Sequence, residues 1–177
     1  MPTTPPPPST PPPASGGLAC GAERWSVTTL SDPDALKVDL AQAVPTTIAA
    51  LNALPPHCGG APDRRTFPEE FRTYEVVGRV SLVRLQPDHD YHVVLADPQT
   101  EDTIVVEVID PAYSGAAQSS YVGTLSQVRA TFAAAGNLEG QLVRVRGVGF
   151  FDFDHNQSGR SRSCIELHPV VGIERAS

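Results

Sequence analysis

The chain has 177 residues and a formal net charge of −7 at pH 7, with 40% hydrophobic and 19% charged residues. These proportions are typical of a folded globular protein. No stretch approaches the roughly 20 apolar residues that a membrane-spanning helix needs. The N-terminus lacks the basic and apolar regions of a signal peptide, so the compartment stays open between the cytoplasm and export after processing. The acidic balance disfavours a protein that binds nucleic acid mainly through phosphates.

Three cysteines occur, Cys20, Cys58 and Cys164, and none belongs to a Cys-x-x-Cys pair. That pattern excludes a standard zinc ribbon. Two alternatives remain: two of the cysteines form a disulfide, or all three are free thiols. Cys164 begins an apolar segment, where a small buried thiol is the commonest arrangement.

The N-terminal third divides into two zones. Residues 1–19 are rich in Pro, Ser, Thr and Gly, which predicts a disordered tether. Residues 20–69 are predicted to form an N-terminal extension packed on the domain that follows, with residues 20–30 as a short strand anchored by Trp25. Thr46 or Thr47 is expected to N-cap a short helix that ends before the prolines at 55 and 56.

The segment 70–175 alternates between strand and helix patterns. Its predicted helix, residues 119–135, has an N-cap at Ser119 or Ser120 and a C-terminal glycine at Gly136. Gly78 is expected to mark a bulge or bend in the first strand. The five predicted strands span residues 72–86, 91–97, 103–110, 138–153 and 164–174.

This order predicts a mainly β fold, a five-stranded OB-type Greek-key barrel with one capping helix between its third and fourth strands. Closure of the barrel removes the exposed edges that a flat sheet would leave. A ferredoxin-like fold is the main alternative, but it needs two helices of similar weight, and only one lies within this strand series.

Five short motifs stand out in the sequence: GVGFFDFDH at 147–155, IELHPV at 165–170, ERWSV at 23–27, DYH at 90–92 and LAD at 95–97. They resemble motifs of a group of uncharacterised bacterial OB-fold-like proteins. The resemblance implies a common fold and frequent export, and it implies no activity. Relatives often carry a cysteine where this chain has Tyr113, so a disulfide from that position to Cys20 is not expected here. More distantly, the strand pattern is similar to OB domains that bind single-stranded nucleic acid.

An OB barrel commonly binds its ligand on strands 2 and 3 and on the loops that join strands 1–2 and 4–5. Arginines could supply charge there, and aromatic rings could stack on bases or sugars. The competing interpretation places the phenylalanines in the core and the arginines in solvent. The candidate ligand-binding residues are Arg79, Tyr91, His92, Arg144, Arg146, Phe150, Arg160 and Arg162.

A second set of side chains has the chemistry of a divalent metal site: His92, His155, Glu166 and His168. Glu166 and His168 are two residues apart on a strand, so they point the same way. Whether His92 converges with them depends on the barrel register. Residues 152–158 also place oxygen ligands at alternate positions, but a hydrated hairpin turn explains that pattern adequately.

The sequence therefore favours a noncatalytic OB-fold binding module, with single-stranded nucleic acid or another polymer as the candidate ligand. A metal-dependent, nuclease-like hydrolase that uses the histidine set is the enzyme alternative. A protein–protein adaptor is the third. No certain cofactor is predicted, no membrane span is predicted, and the oligomeric state stays open.

Overall fold

The computed structural model describes residues 24–59, 61–112 and 114–176. Short helices and one strand precede the barrel: α1 (Trp25–Thr28), a 3-10 turn (Ala35–Lys37), β1 (Asp39–Pro45), α2 (Ile48–Asn52) and a second 3-10 turn (Pro68–Phe71). The barrel contains β2 (Arg72–Leu85), β3 (Tyr91–Ala96), β4 (Thr103–Val108), α3 (Ser114–Ala117), α4 (Val122–Ala134), β5 (Leu142–Phe151) and β6 (Ile165–Arg175). No helix in these ranges is long and apolar enough to cross a membrane.

Five strands close on themselves in the order β2–β3–β4–β6–β5, and β5 pairs back to β2. All of these contacts are antiparallel except β4–β6, where Val106 lies opposite Leu167 in a parallel pair. The single capping helix α4 lies between β4 and β5. This closed Greek-key arrangement confirms the predicted OB-type barrel. It also removes the ferredoxin-like alternative, which would leave an open sheet.

The main core fills the barrel and is capped by α4. Alternate residues of each strand point inward, and Val128 and Phe132 of the helix pack on them. The extension contributes to the same core, because Ile48 and Leu51 of α2 are both buried in it. Gly78 of β2 makes that contact possible, since a Cβ there would lie 2.8 Å from the Ile48 side chain.

A second, smaller core joins the extension to the outside of the barrel. Leu30 and Val38 pack with Leu125 of α4 and with Val148 and Val171 of the barrel strands. The predicted extension is therefore held by apolar burial at two places. The tether predicted at 1–19 lies outside the described residues, as do Cys20 and Tyr113.

The structure confirms some of the local predictions and contradicts others. Thr47 is the N-cap of α2, where its side chain accepts a hydrogen bond from the Ala50 N–H. Gly136 follows α4 with a φ of +68°, as expected for a terminating glycine. The N-cap expected at Ser119 or Ser120 is wrong, because Tyr121 occupies that position without a side-chain cap. The register shift in β2 falls between Val80 and Leu82 rather than at Gly78.

The strand predicted at 20–30 is also wrong in the part that the structure describes, because Trp25–Thr28 form a helical turn. The strand of the extension is instead β1, which pairs parallel with β2, with Val44 opposite Tyr74. Apolar and polar residues alternate only weakly along β1, because most of its side chains are exposed. Its strand conformation is stabilised by the neighbouring strand, not by its own pattern.

A disulfide joins Cys58 to Cys164, 106 residues apart in the chain. It ties the extension to the first turn before β6. The buried free thiol favoured for Cys164 is therefore wrong, and the disulfide alternative holds for this pair. A cross-link of this kind persists in oxidising compartments and is rare in the cytosol.

Candidate functional site: a cavity on the barrel face

The outer face of β3, β4 and β6 carries the polar residues of the candidate site. Successive side chains on a strand point to opposite faces. Val93 and Leu167 lie in the main core, so their neighbours His92, Glu166 and His168 point outward. Glu107 on β4 is directly opposite His92 in the antiparallel pair, which brings these two side chains together.

These outward residues line a cavity of about 370 Å³, which we call the barrel-face cavity. Two loops flank it, the β2–β3 loop (86–90) and the β5–β6 loop (152–164), and the extension adds one wall. The lining residues are Trp25, Thr28, Gln86, Pro87, Asp88, Asp90, His92, Glu107, Phe150, Asp152, Phe153, His155, Gln157, Glu166 and His168.

The barrel-face cavity lies where OB barrels commonly bind their ligands. In strand order along the barrel, β3 and β4 are the second and third strands, and the flanking loops join strands 1–2 and 4–5. Gly159 brings the second loop down onto β3. Its φ is +81°, and a Cβ there would lie 2.3 Å from the Val94 side chain.

His92 is held between two acceptors. Its Nδ1 lies 2.8 Å from Glu107 Oε1, and its Nε2 lies 2.9 Å from the carbonyl oxygen of Ser158. A carbonyl oxygen can only accept, so Nε2 donates the hydrogen bond to Ser158. Burial would lower the pKa of His92, but the hydrogen bond and charge of Glu107 outweigh it and raise that pKa. The two hydrogen bonds of the ring hold the β5–β6 loop against the barrel.

Glu166, unlike His92, lacks close hydrogen-bond partners in the described part of the chain. The residue is 3% exposed, and Oε1 accepts one long hydrogen bond, at 3.3 Å, from Nε2 of Gln157. Burial raises the pKa of Glu166 well above its usual range, and the charges of Asp152 and Glu107 raise it further. A carboxyl group of this kind, strongly perturbed and facing a cavity, is typical of functional sites.

Two more histidine–carboxylate pairs lie in the barrel-face cavity. His155 Nε2 is 3.0 Å from Asp152 Oδ2. His168 Nε2 is 3.8 Å from Asp90 Oδ2, too far for a hydrogen bond, and that nitrogen is buried without one. Burial would lower the pKa of His168, but Asp90, Glu107 and Asp152 outweigh it and raise that pKa. Burial raises the pKa of Asp90, against the opposing effect of His168.

The four predicted metal ligands, His92, His155, Glu166 and His168, thus line one cavity. They do not converge on one point. Within the described ranges, no group of three His, Cys, Asp or Glu side chains is arranged to hold a metal ion. The ring nitrogens of His92 are both engaged, and His155 faces Asp152. The metal hypothesis stays a prediction, and the geometry gives it no donor set.

The five predicted arginines lie outside the lining of the barrel-face cavity. Arg79 donates to the carbonyl of Gly140 at 2.7 Å, and Arg144 lies between Glu75 and Glu174 at 3.8 and 3.9 Å. Arg146 is exposed on β5, with its guanidinium over Gly172.

Arg160 and Arg162 belong to the β5–β6 loop. Arg160 Nε lies 3.4 Å from Asp154 Oδ1, and Arg162 pairs with Asp102. Each of the two therefore has a carboxylate partner. The positive charge of these two arginines is therefore offset by neighbouring acids.

The two aromatic residues that were predicted to contact a ligand, Tyr91 and Phe150, lie in different parts of the structure. Tyr91 faces α4, where its ring centroid lies 4.8 Å from that of Phe132 and the Arg129 guanidinium lies 4.0 Å above it. Phe150 does line the barrel-face cavity, although it is only 2% exposed, and its ring edge packs against His168. Tyr91 and His92 are both candidate ligand-binding residues, but strand alternation places them on opposite faces of β3.

A buried ion pair holds the extension wall in place. Arg24 Nη1 donates to Glu70 Oε1 at 2.6 Å and to the carbonyl of Phe151 at 3.0 Å. Its guanidinium also lies 4.7 Å from the centre of the Phe150 ring. Burial would raise the pKa of Glu70, but the hydrogen bond from Arg24 and two backbone N–H bonds outweigh it and lower that pKa. Trp25 follows Arg24 directly and is thereby positioned at the cavity.

Sequence reasoning missed Glu107, Asp152 and Trp25 as lining residues. One signal was present for Glu107, which is the only charged residue in the apolar strand Thr103–Val108. No local signal brings Trp25 to the same place, since it belongs to a helical turn of the extension.

Fold and site together define an OB-type barrel protein with a ligand-sized cavity on the face that such barrels use for binding. No protein-family model matches the sequence, and no curated protein matches it. Among solved structures, the chain is similar to a small single-stranded DNA-binding protein from Streptomyces coelicolor. The identity is 16% and the TM-score 0.33, over 59% of this chain and 91% of that chain. At those values the likeness carries no argument about function, and the fold rests on the strand pairing.

Proposed function

We propose that this protein is a noncatalytic binding module that holds its ligand in the barrel-face cavity. One observation carries the proposal: a cavity of about 370 Å³ lies between the two loops that flank the OB ligand face. Small-molecule sites typically have volumes of about 300–1,000 Å³ and apolar walls with a few placed polar groups.

The walls of the barrel-face cavity fit that description. Phe150, Phe153, Pro87 and Trp25 supply apolar surface, and the polar groups come from the histidines and carboxylates described above. The loop that closes one side is fixed by the His92–Ser158 hydrogen bond. A preformed site of this kind loses little conformational entropy when a ligand binds.

The charge of the lining bears on which ligand is favoured. Among the described residues, the cavity wall contains five carboxylates and no arginine or lysine. A phosphate backbone would therefore meet repulsion there. Single-stranded nucleic acid stays a candidate only for another surface, the outer face of β2 and β5 with Arg79, Arg144 and Arg146.

The proposal is tested by NMR titration of the isotope-labelled full chain with three probes of equal carbon length. The probes are pentane-1,5-diamine, pentane-1,5-diol and glutarate, which differ in charge. We expect saturable chemical-shift changes from at least one probe at the amides of Glu107, Phe150, Asp152 and Glu166. If none of the three changes these signals saturably, the cavity is not the binding site and the proposal is wrong.

A blocked variant provides the matched control. Gln157→Trp adds a large side chain inside the barrel-face cavity, and binding of the active probe should be lost. Gln99→Trp places the same side chain on the exposed β3–β4 turn and should leave binding unchanged. Equal binding by both variants would contradict the proposed location.

A further inference from the structure

The charges in the barrel-face cavity do not balance. Three of its carboxylates lie within 4 Å of a histidine, in the pairs Glu107–His92, Asp152–His155 and Asp90–His168. Asp88 is a turn residue that accepts the Asp90 N–H at 3.2 Å. Glu166 is the remaining carboxylate, and no basic nitrogen of the described residues lies within ion-pairing distance of it.

Glu166 is both buried and short of donors. It is 3% exposed, Gln157 donates to Oε1 at 3.3 Å, and Oε2 accepts no hydrogen bond from the described part of the chain. Burial destabilises an ionised carboxylate that has no partner. A cation that enters the cavity would remove this cost, and a neutral or anionic ligand would not.

The surroundings of Glu166 favour an organic cation over a metal ion. No group of three His, Cys, Asp or Glu side chains in the described ranges could share a metal ion. Trp25, Pro87 and Phe153 line the same cavity and offer apolar surface for a carbon chain. A cationic head on an apolar stem matches both parts of the cavity.

We propose that the barrel-face cavity binds an organic cation, an ammonium or guanidinium group on a short carbon chain, with Glu166 as its counter-ion. This inference rests on the proposed function, because it assigns a ligand class to the same cavity. The source of the cation is either a free amine or a basic side chain of a peptide.

The test compares pentane-1,5-diamine with pentane-1,5-diol on the full chain at about pH 8, where alkylammonium groups remain charged. We expect the diamine to shift the cavity amides saturably and the diol to leave them unchanged. Glu166→Gln should weaken diamine binding at least about ten-fold, which is about 1.4 kcal/mol. Glu166→Asp, which keeps the charge, should retain part of the affinity.

Glu101→Gln is the matched control, since it removes the same charge from an exposed turn. It should leave the diamine affinity within about two-fold, about 0.4 kcal/mol. A lysine-containing tripeptide, tested beside its norleucine analogue, distinguishes a peptide source from a free amine.

Different experimental outcomes would overturn this inference and the proposed function. If the diol or glutarate binds in the cavity and the diamine does not, the cavity is a ligand site, but the inference of a cationic ligand is wrong. Equal diamine affinity in the wild type and Glu166→Gln would also overturn the inference, because attraction to the net negative charge would then explain binding. Saturable shifts from zinc or calcium ions, with none from the diamine, would replace the organic cation by a metal.

Discussion

Arg24 of the N-terminal extension donates a hydrogen bond of 2.6 Å from Nη1 to Oε1 of Glu70, and both side chains are buried. The same guanidinium reaches the carbonyl of Phe151 at the end of β5. The pair therefore connects the extension, the start of the barrel and the wall of the barrel-face cavity.

Arg24→Met should lower the free energy of unfolding by about 3–5 kcal/mol, because it leaves the Glu70 carboxylate buried without its cation. Urea denaturation without reductant measures this. Lys37→Ala, which breaks the exposed Lys37–Asp34 pair, is the control and should cost no more than about 1 kcal/mol. An equal loss of unfolding free energy in the two variants would mean that the buried Arg24–Glu70 pair contributes no more to stability than an exposed ion pair.

The same pair predicts an acid-sensitive part of the stability. The pKa of Glu70 is lower in the folded state than its ordinary value of 4.5. Its contribution is therefore present above about pH 4.5 and is lost as the pH falls through the folded-state pKa. Glu70→Gln should remove that acid-dependent part of the unfolding curve, and an unchanged pH profile in the variant would contradict the assignment.

Glu166→Gln should stabilise the protein at neutral and alkaline pH. The folded-state pKa of Glu166 is raised, so its favourable contribution exists below pH 4.5 and is lost as the pH rises. The variant keeps the shape and removes the buried charge, and a gain on the order of 1 kcal/mol is expected. Denaturation at pH 8 and pH 4 measures it, and the gain should vanish at the lower pH. A destabilised variant at pH 8 would show that an unseen partner satisfies Glu166.

Removal of the disulfide should destabilise the fold strongly. The cross-link closes a loop of 106 residues, and the chain-entropy model assigns up to about 4.7 kcal/mol to a loop of that size. The Cys58→Ser, Cys164→Ser double variant should lose an amount of that order in urea denaturation. Alkylation of the unfolded wild type should modify one thiol without reductant and three after reduction. Three reactive thiols before reduction would show that the bond does not form.

The metal hypothesis makes its own prediction. Because His92 uses both ring nitrogens in hydrogen bonds, we expect protein purified without chelator to contain far less than one equivalent of any transition metal. Elemental analysis checks this. Stoichiometric metal that disappears in His155→Ala and His168→Ala would revive the hydrolase alternative, with these residues as ligands.

Much of the fold was accessible from the sequence because it depends on local patterns. Alternation predicted that Glu166 and His168 point to the same face of their strand, and helical spacing located α4 and its terminating Gly136. The number and order of these elements were enough to define the OB-type barrel. Such patterns act over a few residues and need no knowledge of the distant chain.

The sequence supplied several residues of the candidate site, but the contacts between them were decided by the tertiary structure. His92 is 66 residues from Ser158, Arg24 is 46 residues from Glu70, and Cys58 is 106 residues from Cys164. Strand register and loop packing set these contacts, and a strand's own sequence does not state which residue it will face. The sequence grouped Tyr91 and His92 in one candidate set. Only barrel closure, which brings distant strands and α4 together, showed that Tyr91 packs on the helix while His92 joins Glu107 at the cavity.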